Sequence, residues 1–113
     1  MKHSFLPLLF LPLLVVLAPG ETPPSYTPKV VVLAMYEIGE PIGDTPGELQ
    51  AWVERYPMPE RISFPLGQID LHWNPEDAVL TVLTGGGVTH AATTITALGL
   101  DRRFNFQNSY WLV

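Results

Sequence analysis

The chain has 113 residues and no cysteine, and 11 acidic against 6 basic groups give it a formal charge of −5. That balance excludes nucleic acid as a partner, because binding a phosphate backbone needs a basic face. Without cysteines a disulfide scaffold and thiolate metal ligation are excluded too, so stability has to come from an apolar core of modest size.

Met1 to Gly20 sets Lys2 and His3 ahead of an apolar run from Phe5 to Ala18 and closes on Ala18-Pro19-Gly20. This pattern predicts a secretory signal peptide over residues 1–20 and export to a periplasmic or extracellular compartment. The run falls short of the ~20 residues of a spanning helix, and Pro7 and Pro12 interrupt it; an uncleaved amino-terminal anchor is the alternative. No later stretch is suited to crossing a membrane. Residues 21–28 are proline-rich and predict an extended linker.

From residue 29 the pattern becomes that of a folded domain. Val30-Val31-Val32-Leu33-Ala34 is a continuous apolar run that suits a strand covered on both faces, as parallel strands are. Tyr36 to Asp44 reads as a loop, with Gly39, Pro41 and Gly43 as breakers and Glu37, Glu40 and Asp44 as acids. Thr45-Pro46-Gly47-Glu48 has the form of a capping box, and Leu49, Trp52, Val53 and Tyr56 form one apolar stripe that Pro57 ends. They predict a helix over 46–56 with Trp52 and Tyr56 in the core.

Met58 to Gly67 reads as irregular, with a brief extended piece at Ile62 to Phe64. Ile69, Leu71 and Trp73 then alternate with Asp70 and His72, and Asn74-Pro75-Glu76-Asp77 is a turn, so a hairpin is expected with His72 on the solvated face. The second arm, Val79 to Leu83, runs into Thr84-Gly85-Gly86-Gly87 and then a helix over 88–98. Val88, Ala91, Ala92, Ile95 and Leu98 should share its buried face, and Gly99 should terminate it as the residue after the C-cap. Leu100 to Asn108 is a connection to a last strand near Tyr110. Ser109 to Val113 has the composition of a buried strand and reads as the point at which a longer domain has been cut, with a terminal edge strand closing a small sheet as the alternative. Strand, helix, hairpin, helix, strand is the order of an α/β layered domain.

The glycine loop is the feature that bears on chemistry. Backbone N–H groups at a strand–glycine–helix junction converge on one spot, where the positive end of the helix favours an anion. The loop lacks the Lys-Ser or Lys-Thr pair of an ATP-type phosphate loop, and His90 stands where a dinucleotide fingerprint needs a small third residue. A phosphate, a sugar hydroxyl or a purely structural turn all remain open on these residues. His3, His72 and His90 do not fall at metal-ligand spacing, and no metal or cofactor is implied.

Ala34-Met35-Tyr36-Glu37-Ile38-Gly39-Glu40, Gly43-Asp44-Thr45-Pro46-Gly47-Glu48, Trp52-Val53-Glu54-Arg55, Thr84-Gly85-Gly86-Gly87, Ala97-Leu98-Gly99-Leu100-Asp101 and Tyr110-Trp111-Leu112-Val113 resemble, in this order, the amino-terminal third of the purine nucleoside permease family. Two positions depart from the family pattern: Gly86, where an aliphatic residue is usual, and His90, where arginine is usual. The resemblance implies a three-layer α/β/α domain with a central mixed sheet, similar to nucleoside phosphorylases and nucleosidases, of which residues 29–113 are the amino-terminal part. It implies a purine nucleoside as partner, with Thr84, Gly85, Gly87 and His90 beside the ribose or a phosphate co-substrate. Glu37 is the nearest match to the water-activating glutamate of nucleosidases. Binding and transport of purine nucleosides is the first expectation. Cleavage of the N-glycosidic bond by a nucleosidase or phosphorylase and an inactive remnant of the fold are the alternatives, and the full-length protein is open to homo-oligomer formation.

Overall fold

In the computed structural model, which describes residues 24–113, the chain forms β1 (Val30–Ala34), α1 (Glu48–Arg55), β2 (Glu60–Ile62), β3 (Leu71–Asn74), β4 (Val79–Leu83), α2 (Gly87–Gly99) and β5 (Tyr110–Leu112). The predicted signal peptide lies outside the described residues. The strands make one mixed sheet in the order β2-β3-β4-β1-β5. β1 runs parallel to both β4 and β5, in the register Val31↔Leu80 and Val31↔Trp111, while β2, β3 and β4 pair antiparallel. The order of the sequence patterns predicts an α/β layered domain, and the family resemblance implies its mixed sheet.

The apolar run of β1 is explained by its neighbours. With a strand on either edge and covered faces, Val31 is fully buried and Val32 and Ala34 nearly so. Asn74 closes the β3–β4 hairpin, its side-chain oxygen accepting the Asp77 N–H at 2.9 Å, and Ala78 leaves the turn at a φ of 55°. One face of the sheet carries the main core, in which Val31, Leu71, Trp73, Leu80 and Val82 join Leu98 of α2 and Phe64 and Phe104 from the connections. Tyr26, from the expected linker, adds to it. Its ring meets Trp73 edge-on at 5.5 Å and stacks on Phe104 at 5.2 Å, and its carbonyl accepts the Asn105 N–H. The other face lies under the chain that leaves α1: Asn74 donates to the Pro57 carbonyl at 2.8 Å, and Thr81 reaches the Met58 sulfur.

Several expectations are corrected. His72 is not solvated: all four residues of β3 are buried, and neither His72 ring nitrogen has a hydrogen-bond partner. Alternation marks two faces but cannot say that both are covered. Burial, with a smaller push from the Arg61 charge and an opposing pull from Asp70, lowers its pKa to about 4. In α1, Leu49 is buried as expected, but Trp52 is exposed and Gln50 takes the inward position. In α2, Leu98 is buried as expected, but Thr94 also turns inward and Val88 is 86% exposed. Gly99 is not a left-handed terminator; it belongs to the last turn, and Leu100 ends the helix in a right-handed conformation by donating to the Thr96 carbonyl at 3.0 Å. The extended piece after Pro59 falls at Glu60–Ile62 rather than 62–64.

Candidate functional site

Parallel pairing sets the carboxyl ends of β1 and β4 side by side, with a loop and a helix following each. In open α/β sheets ligands bind outside the carboxyl ends of the strands. Thr84 locks the two ends together: its N–H donates to the Ala34 carbonyl at 2.8 Å, its hydroxyl lies 3.3 Å from the same oxygen, and its own carbonyl accepts from the Thr94 hydroxyl at 3.0 Å. Thr84 is 1% exposed. Thr84 is thus a buried tie between β1, β4 and α2.

The glycines have separable jobs. Gly85 and Gly87 both take a φ of 87°, which L side chains rarely adopt. A Cβ on Gly85 would also stand 3.0 Å from the His90 Cβ and 3.2 Å from the Gln68 carboxamide carbon, whereas one on Gly86 or Gly87 would meet nothing within 4 Å. The loop is walled at Gly85 and open at the other two. Gly86 is the N-cap of α2; no side chain caps this end, and the first turn holds no acid. His90 sits in that turn with Nδ1 2.8 Å from the Gly86 carbonyl oxygen. Beside the loop is an apolar cavity of about 200 Å³ lined by Leu33, Met35, Thr84, Gly87, Val88 and Ile95 among others. A larger hollow of about 400 Å³ lies at the other end of α2, between Phe64–Leu66 and Leu100, away from the converging loops.

Glu37 follows β1 and turns its carboxylate onto α1. One oxygen accepts the N–H groups of Ile38 at 2.9 Å and Gly47 at 2.6 Å, and the other accepts the Gln50 N–H. Partial burial works against ionisation, but the backbone donors outweigh it and hold the Glu37 carboxyl below its ordinary value of 4.5. The predicted capping box does not form: Gly47 is the N-cap, and Glu48 instead accepts the Met35 N–H at 2.6 Å. A Cβ at residue 47 would lie 2.6 Å from the Glu37 carboxylate, which explains the glycine.

Two participants escape sequence reasoning. Gln68 is one, since nothing in its own neighbourhood of sequence points to Gly85. Gly47 as the seat of the Glu37 carboxylate is the other, hidden because Thr45 and Glu48 offer a ready local cap. Among the described residues no group of three or more His, Asp or Glu side chains could hold a metal ion, and no helix is long and apolar enough to cross a membrane.

A model of the purine nucleoside permease family matches residues 27–113, which span every strand and both helices. The chain belongs to the purine nucleoside permease family. No curated protein and no solved structure matches it. For this member of the permease family, the matched span holds both converging loops, with Glu37 on one and Gly85, Gly87 and His90 on the other.

Proposed function

We propose that the chain binds a purine nucleoside at the carboxyl ends of β1 and β4 and serves nucleoside transport by capture and hand-over. The observation that carries this reading is the family match across both loops. The uncapped start of α2 supports it physically, because unpaired N–H donors beside an open glycine loop can hold polar atoms of a ligand. The apolar cavity next to the loop offers a surface for a less polar part of the same molecule. In this proposal Gly85, Gly87 and His90 lie on the ligand side, and Thr84 ties the loop to β1 and α2 while lining the neighbouring cavity. Export through residues 1–20 and a phosphorylase-like three-layer domain, of which residues 29–113 are the amino-terminal part, complete it.

Cleavage of the glycosidic bond would ask Glu37 to take a proton from water. Its carboxylate is ionised at neutral pH, but three backbone donors stabilise that charge and make it a weak base. Glu37 therefore supports binding architecture better than base catalysis. The test is incubation of the protein with inosine and adenosine, with and without phosphate, while free base is followed and binding is measured by calorimetry. Binding without base release is expected. Base released only with phosphate would make the chain a phosphorylase, and base released without it a nucleosidase.

A further inference from the structure

We infer that the glycine-loop site is built for the hydroxyl groups of an uncharged sugar rather than for phosphate, and that Gln68 is one of its contact residues. The inference rests on the nucleoside-binding reading above and adds to it a residue and a ligand chemistry. Gln68 comes from the connection between β2 and β3, and its side chain is exposed. Its carboxamide carbon and nitrogen stand 3.2 and 3.3 Å from where a Gly85 Cβ would be, so the amide forms one flank of the loop and His90 another. Two side chains from separate elements thereby border a backbone that is open at Gly86 and Gly87.

Their chemistry is mixed. A carbonyl oxygen only accepts, so the contact of His90 Nδ1 with the Gly86 carbonyl requires the proton on Nδ1. The neutral imidazole then presents Nε2 as an acceptor. Gln68 brings two donors and an acceptor, and the loop N–H groups bring donors. A sugar hydroxyl, which both donates and accepts, uses all of these, whereas a phosphate dianion is mainly an acceptor and pairs less well with the Gln68 carbonyl oxygen and an acceptor Nε2.

Charge points the same way. Residues 35–47, 63–70 and 84–91, which supply the converging loops, contain no lysine or arginine, and they include Glu37, Glu40, Asp44 and Asp70. Arg103, past the far end of α2, is bound to Asp101 at 2.7 Å and to the Ser63 carbonyl. A mouth without cations and with several carboxylates attracts a neutral ligand more readily than a doubly charged one.

The experiment is calorimetry on the full chain with inosine, 2′,3′-dideoxyinosine and inorganic phosphate, for the parent protein and for Gln68→Ala. Expected are tighter binding of inosine than of its dideoxy analogue, no competition by millimolar phosphate, and a loss of about 5- to 10-fold in inosine affinity in Gln68→Ala. The affinity for dideoxyinosine should not change in that variant, and neither should its melting temperature. Equal losses for both nucleosides, or competition by phosphate, would overturn the inference while leaving nucleoside binding intact. If the parent protein binds neither nucleoside, the reading of the site fails and the inference falls with it.

Discussion

The two helices begin at the same end of the sheet and treat their first turns in opposite ways. At α1 the converging N–H groups are filled from within, by the Glu37 carboxylate on Gly47 and Gln50. At α2 the equivalent position carries no side-chain cap and no acid, and the loop before it is open on the Gly86 and Gly87 side. One end shows what an anionic or strongly accepting group does at such a junction; the other leaves that place open. The internal carboxylate ties the first loop to the start of α1.

The most damaging way to break the comparison is Gly47→Ala. The new methyl would press on both the carboxylate and the backbone of Glu37, the latter at 2.7 Å, and side-chain rotation cannot relieve the second contact. A loss of about 2–3 kcal/mol in urea unfolding is expected.

Acid should separate the two sides of the sheet next. His72 stays neutral in the fold down to about pH 4, while in the unfolded chain it takes a proton near 6.5. Stability is therefore full above pH 6.5 and falls as pH drops toward 4, by roughly 2–3 kcal/mol over that window. His72→Leu should flatten this limb in a pH series of denaturation curves and cost under about 1 kcal/mol at pH 7, since it also removes two unpaired buried nitrogens.

Glu37→Gln tests the closed end directly. Losing the charged cap should cost about 1–2 kcal/mol at neutral pH. Because the folded carboxyl titrates below 4.5, the contribution of Glu37 is present above that value and disappears as pH falls through the folded value. The Gln variant should lack this further acid loss, and a persistent loss would assign it to another group.

The smallest stability effect is the most instructive. Gly86→Asp gives α2 an internal cap like that of α1, at a residue whose φ of −72° and open surroundings accept a side chain. A gain of about 0.5 kcal/mol in stability with weakened inosine binding is expected. Stabilisation with unchanged affinity would show that the ligand does not use this end of the helix.

Much of this arrangement is local chemistry and was legible in the sequence. The unbroken apolar run of Val30 to Ala34 demands a strand buried on both faces, and Asn74 to Asp77 demands a turn. Gly85 and Gly87 mark the junction before a helix because few other residues adopt their backbone angles. The partners of those features were not legible, for they come from elsewhere in the chain. Thr45 and Glu48 satisfy a cap pattern by spacing alone, yet Glu37, arriving from the end of β1, holds the donors that a local cap would take. Val88 and Ala92 fit a helical stripe, but the rotation of α2 is fixed by Thr94 reaching the Thr84 carbonyl and by Leu98 entering the core.

The sequence by itself determined the elements, their order and the conformational demands of the glycine loop, because propensity, periodicity and backbone sterics act over a few neighbouring residues. Only the tertiary structure decided that His72 is buried, that Thr84 faces inward, that one helix start is filled and the other open, and that Gln68 borders Gly85. Each of those depends on which distant segment packing brings alongside, and burial and hydrogen-bond saturation are properties of that meeting rather than of either segment alone.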